Sequence, residues 1–106
     1  MLNVLNRLYQ TITERKNADP QSSYVASLFA KGPKKIAQKV GEESTEVVLA
    51  AAGGNKQEII SESADLLFHL CVLWAAHGVS PEDIGAELLA REGTSGIEEK
   101  RQRAKP

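Results

Sequence analysis

The most apolar segment of the chain reads Glu62-Ser63-Ala64-Asp65-Leu66-Leu67-Phe68-His69-Leu70-Cys71-Val72-Leu73-Trp74. From Leu66 onward, apolar side chains would cover nearly every side of a helix, which is typical of a helix at the centre of a bundle. This segment belongs to a predicted helix that starts after Asn55 and runs to about His77-Gly78. We therefore expect this helix to be the central, buried element of the fold.

Helical patterns flank the central helix on both sides. The preceding helix should begin near Pro33, because proline suits a first helical turn, and should end at Gly53-Gly54. Its apolar face is formed by Ile36, Val40, Val47 and Ala51. The helix after the central one should begin at Ser80-Pro81-Glu82-Asp83, which supplies a cap, a proline and acids, and should end near Gly93. Its apolar side chains are Ile84, Leu88 and Leu89.

Two further helices are predicted at the N-terminal end. The first has one apolar stripe, formed by Leu5, Leu8 and Ile12. Residues 17–20 end it, and Ser22 or Ser23 could cap a second, short helix that Lys31-Gly32-Pro33 stops. No segment alternates as a strand would. The sequence therefore predicts an all-α fold of four to five helices.

The overall composition points to one soluble domain. The chain has 106 residues, and we expect a folded domain at 1–93 followed by a polar tail at 94–106. A core of this size is modest, so association of several copies would stabilise it. The net charge of −1 provides no basic field for nucleic acid. The single cysteine, Cys71, excludes an internal disulfide and a cysteine zinc site.

Targeting signals are not evident in the sequence. The N-terminus lacks the pattern of a signal peptide, and no apolar run reaches the roughly 18–20 residues of a membrane span. We therefore expect a cytoplasmic protein without a membrane partner.

Acidic side chains border the apolar faces of the third and fourth helices. With Ile36 at zero and a step of about 100° per residue, Glu43 lies near −20°, and Glu46 and Glu42 flank the same face. On the fourth helix, Glu62 and Asp65 likewise border the face expected to be most buried. If the two helices pack antiparallel across the Gly53-Gly54 turn, the two acidic sets meet.

Such a cluster needs a counter-charge. Carboxylates that share a buried pocket raise one another's pKa, and desolvation adds to the cost. Oxygen ligands favour Mg²⁺ or Mn²⁺ over zinc, and Mg²⁺ suits a phosphate ester or anhydride substrate. The alternative is that the acids form weak surface ion pairs with Lys35, Lys39 and Lys56.

Other polar side chains near the acids also have two interpretations. His69 shares the face of Glu62 and Asp65, and it is either a satisfied core residue or a group that orients a carboxylate or contacts substrate. Four lysines precede the acids, namely Lys31, Lys34, Lys35 and Lys39. They form either a solvated basic turn or a phosphate-binding group at the start of the third helix.

Three segments together carry a family likeness: Ala30-Lys31-Gly32-Pro33, Lys39-Val40-Gly41-Glu42-Glu43-Ser44-Thr45-Glu46 and Glu62-Ser63-Ala64-Asp65-Leu66-Leu67-Phe68-His69-Leu70. The second segment contains the pattern Glu-Glu-x-x-Glu, and the third begins with Glu-x-x-Asp. Fifteen residues separate the two patterns. This pattern resembles the all-α (MazG-like) NTP pyrophosphatases. The Lys-Gly-Pro and Lys-Val-Gly-Glu-Glu runs narrow the resemblance to the phosphoribosyl-ATP pyrophosphatase family, over residues 20–93.

The resemblance implies an activity and a set of ligands. The activity is Mg²⁺-dependent hydrolysis of phosphoribosyl-ATP to phosphoribosyl-AMP and pyrophosphate, the second step of L-histidine biosynthesis. The implied metal ligands are Glu43, Glu46, Glu62 and Asp65. Glu42 and Glu46 are the expected catalytic acids, with Glu42 an additional ligand or the base that activates water. The expected substrate-binding residues are Lys31, Lys35, Lys39 and His69.

The resemblance also implies a dimer or larger homo-oligomer with sites at subunit interfaces, and the sequence looks like the stand-alone form of the domain. Two alternatives remain at this point. The first is the same fold acting on noncanonical nucleoside triphosphates, against which the Lys-Gly-Pro segment argues. The second is a helical interaction module without enzymatic activity, which should bind no metal.

Overall fold

The structure is a computed structural model that describes residues 1–93 and 96–103. Its helices are α1 (Leu2–Arg15), α2 (Tyr24–Lys31), α3 (Pro33–Gly53), α4 (Lys56–Ala76), α5 (Pro81–Ala90) and α6 (Gly96–Arg103). No strand occurs in these two ranges, so the predicted all-α class is confirmed. Helix α6 lies within the segment predicted to be a polar tail; Thr94, Ser95 and residues 104–106 of that segment are outside the described residues.

Local capping interactions set the helix ends. Ser23, rather than Ser22, caps α2, because its hydroxyl accepts a hydrogen bond from the Ala26 amide at 3.2 Å. Asn55 caps α4 in the same way, and Ser80 starts α5 with a reciprocal capping box. Gly54 ends α3 with a φ of 74°, a left-handed conformation that side chains other than glycine rarely adopt.

The core joins the first four helices. Its buried residues are Ile12 from α1, Val25 and Leu28 from α2, Ile36 from α3, and Cys71 and Val72 from α4. The turn at Gly54 and Asn55 is short, so α3 and α4 run antiparallel and form the most extensive helix pair in the described part of the chain. Helix α4 also packs against α1, which places it at the centre of the bundle as predicted.

Part of the predicted apolar surface is not covered within a single chain. Of the three predicted apolar residues of α5, Leu88 and Leu89 are exposed and Ile84 is partly buried. On α3 Ile36 is buried as predicted, but near the end of the helix Ala50 is buried and Ala51, predicted to lie on the apolar face, is exposed. Helices α1, α4 and α5 border an apolar groove with a volume of about 550 Å³ that Leu5, Trp74 and other apolar side chains line. Helix α4 therefore buries one face and leaves another partly open.

Helix α4 is long and apolar enough to cross a membrane if only length and composition are considered. Its mean hydropathy reaches 1.5 over an 18-residue window, although an uninterrupted apolar run of that length is absent. Central helices of soluble proteins have the same properties. Helix α4 packs on α1 and α3 and carries Glu62 and Asp65, and carboxylates within a membrane span are costly. These contacts identify it as the central helix of the bundle.

Candidate metal centre

The antiparallel pair of α3 and α4 brings carboxylates from both helices together. One oxygen each from Glu43, Glu62 and Asp65 lies within 4.8 Å of the other two. Glu43 and Glu62 are partly buried, whereas Asp65 is exposed, so the group opens to solvent on one side. We call these three side chains the carboxylate cluster. The expected meeting of the two acidic sets is therefore present for three of the four predicted metal ligands.

The electrostatics of the carboxylate cluster are unfavourable for bare anions. Partial burial raises the pKa of Glu62 above its ordinary value, and the negative charges of Asp65, Glu46, Glu43 and Glu58 raise it further. A raised pKa means that the ionised form of Glu62 is disfavoured by its surroundings. A cation placed among these oxygens would remove that penalty.

The donor set fits a hard divalent cation. All three groups of the carboxylate cluster are carboxylates, and no nitrogen or sulfur donor belongs to this group among the residues that the structure describes. Mg²⁺ and Mn²⁺ take oxygen ligands of this kind, whereas zinc sites use mainly cysteine and histidine. Mg²⁺ also keeps several waters, which suits a group with only a few protein ligands and one open side.

The remaining predicted acids lie outside this close group. Glu46 is exposed, but its charge contributes to the raised pKa of Glu62, so it is near the carboxylate cluster. Glu42 is also exposed, and it accepts a hydrogen bond from the Gln38 amide at 3.0 Å. The neighbouring Lys39 ammonium and the Gln38 amide together lower the pKa of Glu42. The ligand role of Glu46 and the catalytic role of Glu42 stay predictions.

Lys39 is the lysine that reaches the carboxylate cluster. Its Nζ lies 3.2 Å from Oε2 of Glu42 and 3.7 Å from Oε1 of Glu43. The pKa of Lys39 is raised, and the largest cause is its hydrogen bond with Glu42. Lys35 is near enough for its charge to act on Glu42, and Lys31 is exposed in the last turn of α2. The predicted phosphate-binding lysines thus lie on α2 and α3, and of the three Lys39 contacts the carboxylate cluster.

His69 is a buried histidine with both ring nitrogens engaged. It is 7% exposed, its Nδ1 lies 2.8 Å from the Asp65 carbonyl oxygen, and its Nε2 lies 3.0 Å from the Tyr24 hydroxyl. A carbonyl oxygen can only accept a hydrogen bond, so Nδ1 carries the proton. In the neutral ring, Nε2 then accepts a hydrogen bond from the Tyr24 hydroxyl. This arrangement supports an orienting role, because His69 holds the backbone of a cluster residue. Direct substrate contact by His69 stays a prediction.

Tyr24 is the residue of this region that sequence reasoning missed. Its place in the second predicted helix gave no indication of a polar role, yet its hydroxyl is hydrogen-bonded to His69 and its ring stacks on Phe68. The two ring centroids lie 6.0 Å apart with an interplanar angle of 22°. Tyr24 and His69 are 45 positions apart in the chain, so no local spacing could have linked them.

Replacing Tyr24 with phenylalanine is expected to lower the free energy of unfolding by about 1–2 kcal/mol. The variant keeps the ring but leaves Nε2 of the buried His69 without its hydrogen-bond donor. Urea denaturation followed by circular dichroism measures the change. Tyr9→Phe is the matched control, because the Tyr9 hydroxyl forms no hydrogen bond with the residues that the structure describes. Equal unfolding midpoints for the two variants would contradict the role of Tyr24.

Comparison with known proteins gives a consistent result across nearly the whole chain. Residues 5–92 match the sequence profile of the family described as phosphoribosyl-ATP pyrophosphohydrolase. The chain is 55% identical over 102 residues to phosphoribosyl-ATP pyrophosphatase of Gluconobacter oxydans (strain 621H), spanning 96% of this chain and 77% of that protein. It is 56% identical over 102 residues to the protein of the same name from Paramagnetospirillum magneticum (strain ATCC 700264 / AMB-1), and the match covers 96% of this chain and 94% of that protein.

A third relative extends the match to almost the full length of both proteins. The phosphoribosyl-ATP pyrophosphatase of Erythrobacter litoralis (strain HTCC2594) is 57% identical over 102 residues, which cover 96% of this chain and 98% of that protein. The range that matches the family profile contains Glu43, Glu62 and Asp65. The carboxylate cluster therefore lies within the part of the chain that these proteins share.

Proposed function

The chain belongs to the phosphoribosyl-ATP pyrophosphohydrolase family, and we propose that it hydrolyses its substrate with Mg²⁺ held between α3 and α4. It is a hydrolase that converts phosphoribosyl-ATP to phosphoribosyl-AMP and pyrophosphate in L-histidine biosynthesis. The observation that carries the metal proposal is the carboxylate cluster, whose three oxygens lie within 4.8 Å of one another.

The proposed ligands are the carboxylate cluster and Glu46. Glu43 approaches from α3, and Glu62 and Asp65 approach from α4, so the cation would bridge the two helices. Glu46 lies one turn after Glu43 and is exposed, so its side chain can turn toward the same cation. Bound Mg²⁺ supplies positive charge that stabilises the phosphate oxygens and the leaving pyrophosphate.

The proposed role of Glu42 is to position the attacking water. Its lowered pKa means that it is ionised at neutral pH and a weak base, which suits a carboxylate that accepts a hydrogen bond from the water and orients it. It lies one residue before Glu43, outside the carboxylate cluster, and its exposure leaves one side open to solvent and substrate. Glu46 is the second acid that we place in catalysis, through its contact with the cation.

The proposed phosphate ligands are the predicted phosphate-binding lysines on α2 and α3. Lys39 lies next to Glu43, the charge of Lys35 acts on Glu42, and Lys31 is exposed in the last turn of α2. Ammonium groups bind phosphate oxygens as point charges, and their positive field opposes the negative charge of the carboxylates. We therefore assign the phosphate groups of the substrate to these lysines.

Homo-oligomerisation and a cytoplasmic location are also part of the proposal. Large apolar side chains are exposed on several helices, including Val48 and Leu49 on α3, Ile60 on α4, and Leu88 and Leu89 on α5. Exposed apolar surface of this extent marks association sites in soluble proteins. A biosynthetic enzyme with a small-molecule substrate fits the cytoplasm.

A product assay with and without divalent cation tests the proposed function. We expect phosphoribosyl-ATP to be cleaved to phosphoribosyl-AMP and pyrophosphate with Mg²⁺, and turnover to fall to background with excess EDTA and return when Mg²⁺ is restored. Deoxynucleoside triphosphates, assayed in parallel, should be poor substrates. Undiminished turnover in EDTA would contradict the metal dependence, and faster cleavage of a deoxynucleoside triphosphate would contradict the substrate.

A further inference from the structure

We propose that Lys39 and the divalent cation compete for the Glu43 carboxylate, so that cation binding redirects the Lys39 ammonium toward the phosphates of the substrate. Lys39 is then the phosphate ligand that couples cation binding to substrate binding. This inference rests on the proposed function, because it requires a cation at the carboxylate cluster. The coupling is mutual: the cation changes the position of the Lys39 ammonium, and the ammonium changes the affinity of the site for the cation.

The geometry places Lys39 between a member of the cluster and a carboxylate outside it. Its Nζ lies 3.7 Å from Oε1 of Glu43, which belongs to the cluster, and 3.2 Å from Oε2 of Glu42, which does not. The side chains of Lys39 and Glu43 are 25% and 16% exposed, respectively. Because both side chains are partly shielded from water, solvent screens this pair less than it screens a fully exposed ion pair.

Competition follows from the charges involved. A carboxylate that ligates a dication has less negative charge to offer a neighbouring ammonium, and the ammonium and the dication repel each other at this separation. Lys39 has a second partner in Glu42, and its flexible stem allows the ammonium to move outward. Because Glu42 is exposed, an ammonium that shifts from Glu43 toward Glu42 stays accessible to phosphate groups arriving from solvent.

A different role for Lys39 predicts the opposite sign. If the ammonium serves only to hold Glu43 in place, its removal loosens the carboxylate cluster and weakens cation binding. If Lys39 competes with the cation, its removal strengthens cation binding and weakens substrate binding. The direction of the change in cation affinity therefore distinguishes the two roles.

Calorimetric titration with MnCl₂ alone tests the competition on the full-length chain. Lys39→Met is expected to bind Mn²⁺ about tenfold more tightly than wild type, equivalent to about 1.4 kcal/mol. Lys39→Gln, which keeps a polar end, should change the affinity in the same direction. Lys56→Met is the matched control, because Lys56 is an exposed lysine at the start of α4, and its Mn²⁺ affinity should stay within about twofold of wild type.

Steady-state kinetics provide the second readout. With saturating Mg²⁺, Lys39→Met should raise KM for phosphoribosyl-ATP about tenfold with a smaller change in kcat, because a phosphate ligand is lost. Unchanged or weaker Mn²⁺ binding in Lys39→Met, or an unchanged KM, would overturn the competition. If the wild-type protein still binds Mn²⁺ in that case, the proposed function stands. An absence of Mn²⁺ binding in wild type as well would overturn both.

Discussion

Replacing Asp65 with asparagine is expected to reduce kcat by about 10²–10³-fold at saturating Mg²⁺ while leaving the protein folded. The two side chains have nearly the same shape, so the change removes one negative charge from the carboxylate cluster and little else. Asp65 is exposed and its charge raises the pKa of Glu62, so its loss relieves repulsion in the metal-free protein. Turnover of phosphoribosyl-ATP and thermal unfolding, measured on the same preparation, separate the two effects.

Two further variants sharpen this test. Glu46→Gln should produce a similar loss of turnover if Glu46 is the fourth ligand. Glu82→Gln removes one exposed carboxylate from the first turn of α5, away from the cluster, and should keep turnover near wild type. Wild-type turnover of Asp65→Asn at saturating Mg²⁺ would mean that the carboxylate cluster is not the metal site.

Replacing Leu28 with alanine is expected to lower the free energy of unfolding by about 3–4 kcal/mol. Leu28 is 1% exposed and packs in the core formed by α1, α2, α3 and α4. Helix α2 has only 8 residues, too few for a stable isolated helix, so its position depends on this packing. A domain of this size has about 5–15 kcal/mol of stability in total, and the loss should be evident in urea denaturation.

The matched control for this change is Leu28→Met, which keeps the side-chain volume. That variant should cost less than about 1.5 kcal/mol, because isosteric apolar exchanges are tolerated in packed cores. If Leu28→Ala lost no more than Leu28→Met, the side chain would not fill the space between the four helices. The position of α2, and with it that of Tyr24, would then need another explanation.

The helices and the carboxylate cluster could be predicted because the signals that determine them are local. The caps at Ser23, Asn55 and Ser80 and the left-handed turn at Gly54 act over three or four residues. Helical periodicity fixes which acids share a face, and a short turn forces α3 and α4 to pair. Glu43, Glu62 and Asp65 therefore meet as expected.

Features that depend on how the helices rotate against one another could not be predicted. The hydrogen bond between Tyr24 and His69 joins α2 to α4 across 45 positions, and no single helix carries a sign of it. The same applies to which of Ala50 and Ala51 is buried near the end of α3. The exposure of Leu88 and Leu89 reflects the angle at which α5 packs, which periodicity alone does not fix.

Crystals of the protein grown with MnCl₂, with diffraction recorded at an energy that gives a manganese anomalous signal, test the central claim most directly. The account predicts an anomalous peak between α3 and α4 that is coordinated by carboxylate oxygens of Glu43, Glu62 and Asp65. Manganese bound elsewhere, with the three carboxylates turned toward solvent or paired only with lysine, would contradict it.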